Sequence, residues 1–309
     1  MISRPADIAR RMLPIALRSY LRRHLPRPPM NHRVRDSSSS AIDADVSYAL
    51  KVGQVHLDLL AAEGIEPNGK TILELGPGIN FGSALLLACY GARPIVADRF
   101  LANWDLAYHP KFYTALRTRL AARCASADLR PLDRMLERNG CTDDDISRVW
   151  RGAEDLQGVP DSGVDIVFSN AVLEHLFDLP AACRELGRVS KPLAWGFHQV
   201  DFRDHLDFAR PLEYLLLADQ QFRRMFAARH GEGGSQWRPT EMARLFETAG
   251  FDAVRFDINM TAEEEYLREF EPRLREAASR YRNIPLSELG TLGGRFCLRR
   301  RPLRSVHGN

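Results

Sequence analysis

Histidine and aspartate side chains lie close together in the segment HQVDFRDH, residues 198–205. A neutral imidazole beside a carboxylate is a competent general base near neutral pH. His198 and Asp201 are the first candidate pair, and His205 is the other candidate base. The same residue types bind divalent metals, and Arg203 could instead neutralise the aspartates of a purely structural loop. We take His198, Asp201 and His205 as candidate catalytic residues and assign no metal ligand.

A second group of residues surrounds the glycine-rich segment ELGPGINFG, residues 74–82. Glycines at positions 76 and 78 let the backbone turn tightly and approach a ligand closely. Asp98 ends the next apolar run of the chain, where an acid can accept hydrogen bonds from both hydroxyls of a ribose. This arrangement predicts that the turn binds a cofactor that contains a nucleoside.

The segments ILELGPGINFG, VADR and VDIVFSNAVLEHL resemble the class I S-adenosylmethionine-dependent methyltransferases. They look most like the small-molecule group in which the fourth strand runs into a Leu-Glu-His helix, and the resemblance covers residues 70–200. It implies S-adenosyl-L-methionine as the cofactor and methyl transfer as the activity. The residues that it places at the cofactor are Glu74, Gly76, Pro77, Gly78, Asn80, Asp98, Ala153, Glu154 and Asn170.

Two positions depart from the family pattern. Asn80 stands where the family often has a third glycine, and asparagine tolerates left-handed backbone conformations. Gly152 falls where the family has an acid that faces adenine, so Glu154 or Asp155 is expected to replace that acid.

An NAD(P)-dependent oxidoreductase is the main alternative, because such enzymes also use glycine-rich turns. They hold a pyrophosphate at a helix N-terminus with the pattern Gly-x-Gly-x-x-Gly. Here Phe81 takes the third glycine position. Glu74 would also repel a diphosphate, whereas it suits a cofactor with a sulfonium and a free amino group. A non-catalytic binding protein with a cofactor fold is a third alternative.

The acceptor is expected to be a small molecule or a glycan, methylated at a hydroxyl, because a hydroxyl acceptor needs a base. A nucleic-acid partner is not expected. The formal net charge is only +3, and the arginine-rich segments lack the interleaved aromatic residues of a stacking platform.

Apolar runs that alternate with helical patterns predict a Rossmann-like, doubly wound α/β fold. Its mostly parallel seven-stranded sheet would carry a helical N-terminal extension and helical insertions. The strands are predicted at 71–75, 93–99, around Val149, and at 164–170, 191–200, 251–259 and 293–301. Helices are predicted at 43–63, 83–90, 171–190, 208–229, 238–250 and 261–282. Asp43 or Asp45 is expected to cap the helix at 43–63, and Thr261 the helix at 261–282. Pro180 is expected to break the helix at 171–190. The expected domains are a basic helix and linker at 1–42 and a methyltransferase domain at 43–305. Aromatic residues of a helical insertion at 206–240 could form a lid.

The first 35 residues contain nine arginines and one acidic residue, Asp7. An apolar stripe at helical spacing predicts an amphipathic basic helix. It could cover the main domain or a partner, contact an anionic membrane surface through residues 1–25, or act as a transit peptide.

The five cysteines are scattered without Cys-x-x-Cys spacing, and no apolar run is long enough for a membrane helix. We therefore expect a cytoplasmic protein, with attachment to a membrane surface left open.

Overall fold

The computed structural model describes residues 36–302. The strands are β1 (Thr71–Leu75), β2 (Arg93–Ala97), β3 (Ser147–Val149), β4 (Val164–Asn170), β5 (Ser190–Asp201), β6 (Phe251–Thr261) and β7 (Thr291–Arg300). They form one sheet in the order β3-β2-β1-β4-β5-β7-β6. Strands β1 to β5 pair in parallel, and β7 runs antiparallel between β5 and β6. The predicted doubly wound, mostly parallel sheet is confirmed.

Helices cover both faces of this sheet. They are α1 (Ser39–Ala62), α2 (Gly82–Ala88), α3 (His109–Arg123), α4 (Arg130–Arg138), α5 (Leu179–Val189), α6 (Asp219–Ala228), α7 (Pro239–Thr248), α8 (Glu264–Glu276) and α9 (Leu286–Leu289). Short 3-10 turns lie at Leu173–His175 and Glu213–Leu216. The basic helix predicted within residues 1–35 lies outside the described residues.

The inner strands form because their residues are apolar on both faces. Four of the five residues of β1 are buried, and five of the seven residues of β4 are buried. Continuous apolar runs of this kind are typical of parallel strands that helices cover on both sides. Strand order reverses between β1 and β4, so the carboxyl ends of these two strands border the crevice in which such sheets bind ligands.

Three apolar cores stabilise the fold. On one face α1, α2 and α3 pack on the sheet, and on the other face α5 and α7 do so. The third core joins residues 206–226 to α8 and the segment before β7. Among the aromatic residues of the segment 206–240, for which a lid was one expectation, Tyr214, Phe222 and Phe226 are buried in this third core, whereas Phe208 is exposed. Within residues 36–302, no helix is long and apolar enough to cross a membrane.

The structure corrects where two helices begin. Helix α1 starts earlier than predicted, with Ser38 as its N-cap, so the capping roles predicted for Asp43 and Asp45 are wrong. A serine hydroxyl that accepts from a first-turn amide supplies the same stabilisation. Thr261 is the last residue of β6 and caps no helix, because the charged helix α8 begins at Glu264.

Two backbone expectations are also corrected. Pro180 lies in the first turn of α5 and so helps to begin that helix, because a proline there costs no hydrogen bond. Asn80 does not have a left-handed backbone; among the non-glycine residues of the turn after β1, that conformation belongs to Phe81, with φ of 53°.

Candidate active site

The turn after β1 combines two glycines that differ in what surrounds them. Gly76 and Gly78 both have positive φ, 62° and 69°. A Cβ on Gly76 would lie 2.4 Å from Cγ2 of Val172, in the segment that follows β4, whereas a Cβ on Gly78 would meet nothing within 4 Å. Gly76 therefore allows this turn to contact the segment that follows β4, whereas Gly78 borders open space. Pro77, between them, is buried.

Hydrogen bonds hold this turn from behind. The side chain of Asn80 accepts a hydrogen bond from the backbone N–H of Gly82 at 3.0 Å and donates to the Tyr108 hydroxyl at 3.1 Å. The Tyr108 hydroxyl donates to Asp45 of α1, and the Tyr113 hydroxyl donates to the Asn80 carbonyl at 2.9 Å. Asn80 thus fixes the shape of the turn and ties it to α1 and α3.

Glu74, at the end of β1, carries a buried carboxylate with one free oxygen. The Ser83 hydroxyl donates to Oε1 at 2.5 Å, while Oε2 is buried and has no partner among the described residues. Burial raises the pKa of Glu74 to about 7, although hydrogen bonds from Ser83 and Ala84 act in the opposite direction. An unpaired buried carboxylate oxygen is costly, and a cationic ligand group beside it would remove that cost.

Asp98 follows β2 directly and faces partly toward solvent. Its Oδ1 accepts a hydrogen bond from the backbone N–H of Phe100 at 2.7 Å. Burial raises the pKa of Asp98, in opposition to that hydrogen bond and to the neighbouring Arg99. Oδ2 accepts no hydrogen bond within the described part of the chain, which leaves it available to a hydroxyl.

The loop after β3 brings Glu154 to the same edge of the sheet. Arg99 forms an ion pair with Oε1 of Glu154, and the Phe177 backbone N–H donates to the same oxygen at 3.1 Å. Oε2 is buried and unpartnered among residues 36–302. Ala153 packs in the core, and Asp155 pairs with Arg151 at the surface, so Glu154 is the acid of this loop that can face a ligand.

Asn170 ends β4 and borders a cavity of about 240 Å³ between α1 and the sheet. Its side chain donates to the Tyr48 hydroxyl at 2.9 Å. The cavity is lined by Tyr48, Lys51, Val52, Val55, His56, Leu59, Phe168, Ser169, Asn170, Phe197, Gln199 and Arg295. No sequence pattern predicted this cavity.

Two cations and a buried histidine give the cavity its chemistry. Lys51 and Arg295 supply positive charge. His56 stacks on Phe168 with ring centroids 4.0 Å apart. Burial, together with the charge of Arg295, lowers the pKa of His56 to about 3, so its ring is neutral. The cavity thus combines cations and neutral rings, a lining that suits an acidic or hydroxylated aromatic molecule.

The structure does not bring His198 and Asp201 together. The His198 ring bonds to the Ser169 hydroxyl at 2.8 Å and stacks on Phe246 of α7, with centroids 5.5 Å apart. Burial lowers the pKa of His198 to about 3. Asp201 instead contacts Arg203 at 2.6 Å and His205 at 3.5 Å. His198 lies in the interior, and the imidazole that faces the carboxylate is His205.

Asp201 and His205 belong to a larger cluster with Glu174 and His175, which follow β4. One ligand atom each from Glu174, His175 and His205 lies within 4.8 Å of the other two. The Asp201 backbone N–H donates to Oε1 of Glu174 at 3.2 Å. Burial raises the pKa of Glu174 to about 8, and the charge of Asp201 acts in the same direction. Burial alone would raise the pKa of Asp201 too, but Arg203 and His205, which lie beside its carboxylate, lower it overall.

A family model for a methyltransferase domain matches residues 48–255. The chain belongs to this methyltransferase family. It is a class I enzyme that uses S-adenosyl-L-methionine, which removes the NAD(P) oxidoreductase and the non-catalytic protein as alternatives. No curated protein matches the chain significantly.

Solved structures with a similar chain path include three methyltransferases. A Galdieria sulphuraria protein assigned as a sarcosine dimethylglycine methyltransferase has 14% identity and a TM-score of 0.47, over 82% of this chain and 86% of that one. A Mesorhizobium loti S-adenosylmethionine-dependent methyltransferase has 14% identity and a TM-score of 0.44, over 79% and 96%. The Haemonchus contortus phosphoethanolamine N-methyltransferase 2, in complex with S-adenosyl-L-methionine, has 14% identity and a TM-score of 0.44, over 90% and 62%. These identities are too low to indicate a shared acceptor.

The residues around the glycine turn fit the methyltransferase cofactor. The free Oε2 of Glu74 suits the ammonium of its methionine part, and Gly78 leaves room beside the turn. Asp98 presents an oxygen for the ribose, and Glu154 presents one for adenine. Asn170 borders the crevice from β4. We propose these contacts for the cofactor-binding residues of the methyltransferase.

Binding of S-adenosylhomocysteine to the methyltransferase should release protons near pH 7. Without ligand, Glu74 has a pKa of about 7 and is about half protonated at that pH. A ligand ammonium favours the ionised carboxylate, so about half a proton should leave on binding. Calorimetry in buffers of different ionisation enthalpy measures this release, which Glu74→Gln should abolish.

The same pKa shift predicts how the unliganded protein responds to pH. Folded Glu74 holds its proton up to about pH 7, whereas the unfolded carboxyl loses it near 4.5. Its contribution to the free energy of unfolding is therefore present below pH 4.5 and is lost as the pH rises toward 7. In the calorimetric experiment, Glu74→Gln that releases as many protons as the unaltered protein would assign the released proton to another group.

Proposed function

We propose that this methyltransferase transfers a methyl group to a hydroxyl of a small molecule or glycan. The observation that supports it is the cluster of Glu174, His175, Asp201 and His205 at the carboxyl ends of β4 and β5. Val172, which touches Gly76, lies only two residues before Glu174. The cluster is thus next to the turn that holds the cofactor.

The cluster has the groups that a hydroxyl acceptor requires. S-adenosyl-L-methionine supplies an electrophilic methyl group on a sulfonium. A hydroxyl oxygen is a weak nucleophile until it loses its proton, and a positioned base contributes about 10² to 10⁴ in rate. As the new carbon–oxygen bond forms, the bond from the methyl carbon to sulfur breaks, S-adenosylhomocysteine leaves with the electron pair on sulfur, and the hydroxyl proton passes to the Asp201–His205 pair. Arg203 keeps Asp201 ionised, because it holds the carboxylate at 2.6 Å.

The cavity that Asn170 borders is the proposed binding site for the part of the acceptor that is not methylated. Its volume of about 240 Å³ suits a small molecule or one sugar unit rather than a polymer. Asn170 lies between this cavity and the segment that leads to Glu174. An acceptor bound there would reach the cofactor past the end of β4.

Methyl transfer from labelled cofactor to a panel of acceptors tests the proposal. The panel should contain hydroxylated aromatics, sugars, amines and carbon acids, with the methylated atom located by mass spectrometry and NMR. We expect product with a new methyl ether. Exclusive methylation of nitrogen or carbon would contradict the proposal while leaving the methyltransferase assignment intact.

Arg295→Leu should raise KM for acidic acceptors about tenfold, because a charge-assisted hydrogen bond contributes roughly 1.5–3 kcal/mol. For neutral acceptors of the same shape KM should change less than twofold. Initial rates with matched acidic and neutral acceptors measure the difference. Arg275→Leu, on the exposed side of α8, is the control. Equal effects on both acceptors would show that Arg295 does not contact the acid.

A further inference from the structure

We infer that Glu174, His175 and His205 bind a divalent transition-metal cation. Two imidazoles and one carboxylate are a common ligand set for first-row divalent metals and leave coordination positions open. Each of the three residues offers a ligand atom within 4.8 Å of the others. Ligands bound at about 2.1 Å lie about 3 to 4 Å apart, so closure needs a movement of about 1 Å.

Two of the three proposed ligands carry a buried polar atom without a protein partner. Oε2 of Glu174 and Nε2 of His205 are both buried, and neither makes a hydrogen bond within the described part of the chain. Oδ2 of Asp201 lies 3.5 Å from His205 Nε2, which is at the outer limit of hydrogen bonding. These two atoms belong to residues whose ligand atoms lie within 4.8 Å of one another, which is a spacing that one cation can bridge.

The remaining contacts orient the ligands. His175 Nδ1 donates to the Gly231 carbonyl at 2.9 Å, which leaves the lone pair of Nε2 for a metal. The Asp201 backbone N–H holds the other oxygen of Glu174 at 3.2 Å. Metal-binding histidines usually donate their second ring nitrogen to a carbonyl or carboxylate in this way. The backbone N–H of Ser235 donates to the Glu174 carbonyl at 2.7 Å. The ends of β4 and β5 and the segment that contains Ser235 thus hold the site in place.

The consequence for catalysis rests on the proposed function. A hydroxyl oxygen that binds the cation loses its proton more readily. With His205 as a ligand, Asp201 is the member of the pair that receives this proton. The cation is not consumed, and no change of oxidation state is involved.

Binding of Mn²⁺ to the full-length, chelator-treated protein tests the site without any acceptor or cofactor. Calorimetry and the loss of the free-ion electron paramagnetic resonance signal should show one Mn²⁺ per chain. Glu174→Gln and His205→Asn should each weaken binding about 100-fold. Glu271→Gln, which alters an exposed carboxylate paired with Arg275, should bind Mn²⁺ as the unaltered protein does. Circular dichroism checks that each variant is folded.

The outcomes separate this inference from the proposed function. Equal Mn²⁺ binding by the unaltered protein and by Glu174→Gln would overturn the metal site, even if hydroxyl acceptors were methylated. One site that both variants lose would establish it, even if the acceptor proved to be an amine. Zn²⁺ competition in the same assay gives a second reading if either variant fails to fold.

Discussion

Replacing His205 with asparagine should lower kcat with a hydroxyl acceptor by about 10² to 10⁴, with little change in affinity for S-adenosylhomocysteine. His205 lies beside Asp201 and Glu174 and is not among the residues proposed to bind the cofactor, so its loss should affect the acceptor step and not cofactor binding. Asparagine keeps a polar group of similar reach in a partly buried position. Single-turnover rates with saturating cofactor, together with calorimetric affinity for S-adenosylhomocysteine, separate the two effects.

His230→Asn is the matched control for this substitution. His230 is exposed and has a φ of 51°, a conformation that asparagine accepts, so kcat should stay within about twofold. A His205→Asn variant that retains full kcat would remove His205 from the proposed mechanism. Equal loss of cofactor affinity and kcat would instead place His205 at the cofactor.

Replacing Gly76 with alanine should destabilise the protein by about 2–5 kcal/mol. A positive φ costs an L-residue about 1–2 kcal/mol, and overpacking adds about 1–3 kcal/mol, because the new methyl would lie 2.4 Å from Cγ2 of Val172. The turn and the segment after β4 must then separate. Cofactor affinity should fall as well, since both border the crevice. Chemical denaturation and calorimetry measure the two effects.

Gly78→Ala separates strain from steric conflict. It pays the same conformational cost, but its Cβ meets nothing within 4 Å, so it should destabilise the unliganded protein by only about 1–2 kcal/mol. Adding Val172→Ala to Gly76→Ala should recover part of the loss, as a double-mutant cycle would reveal. Additive effects in that cycle would show that the contact with Val172 does not limit the substitution.

The sequence predicted the sheet and the position of the glycine turn after β1 well, because both depend on local patterns. Apolar runs such as TILEL and VDIVFSN coincide with β1 and β4, since a strand buried on both faces has few other compositions. Gly76 and Asp98 lie at strand ends, where the parallel topology places ligand contacts. Helix boundaries were less predictable. Ser38, Asp43 and Asp45 are all good N-cap residues, and tertiary packing selects which of them begins α1.

The predicted His198–Asp201 pair failed for a geometric reason. Strand β5 continues to Asp201, and side chains of a strand alternate between its faces. Residues three apart therefore point in opposite directions, with His198 toward α7. His205 meets Asp201 because the chain leaves the strand and turns back between them.

Two neighbours of His205 in the cluster could not be read from nearby residues. Glu174 and His175 stand about 30 positions earlier in the chain, and they meet His205 because β4 and β5 are parallel neighbours whose ends coincide. The motif Leu-Glu-His and the segment 198–205 were each recognised separately. Only the strand order shows that they form one site.

The position of β7 has a consequence for biosynthesis. This last strand of the sheet inserts between β5 and β6 and pairs with both, so a nascent chain that has emerged only to Gly290 exposes hydrogen-bonding edges on two long strands. Unpaired edges of this kind invite association between chains. A chain whose synthesis ends before residue 291 would thus be prone to aggregation. Binding of chaperones to the nascent chain should be greatest just before β7 emerges from the ribosome.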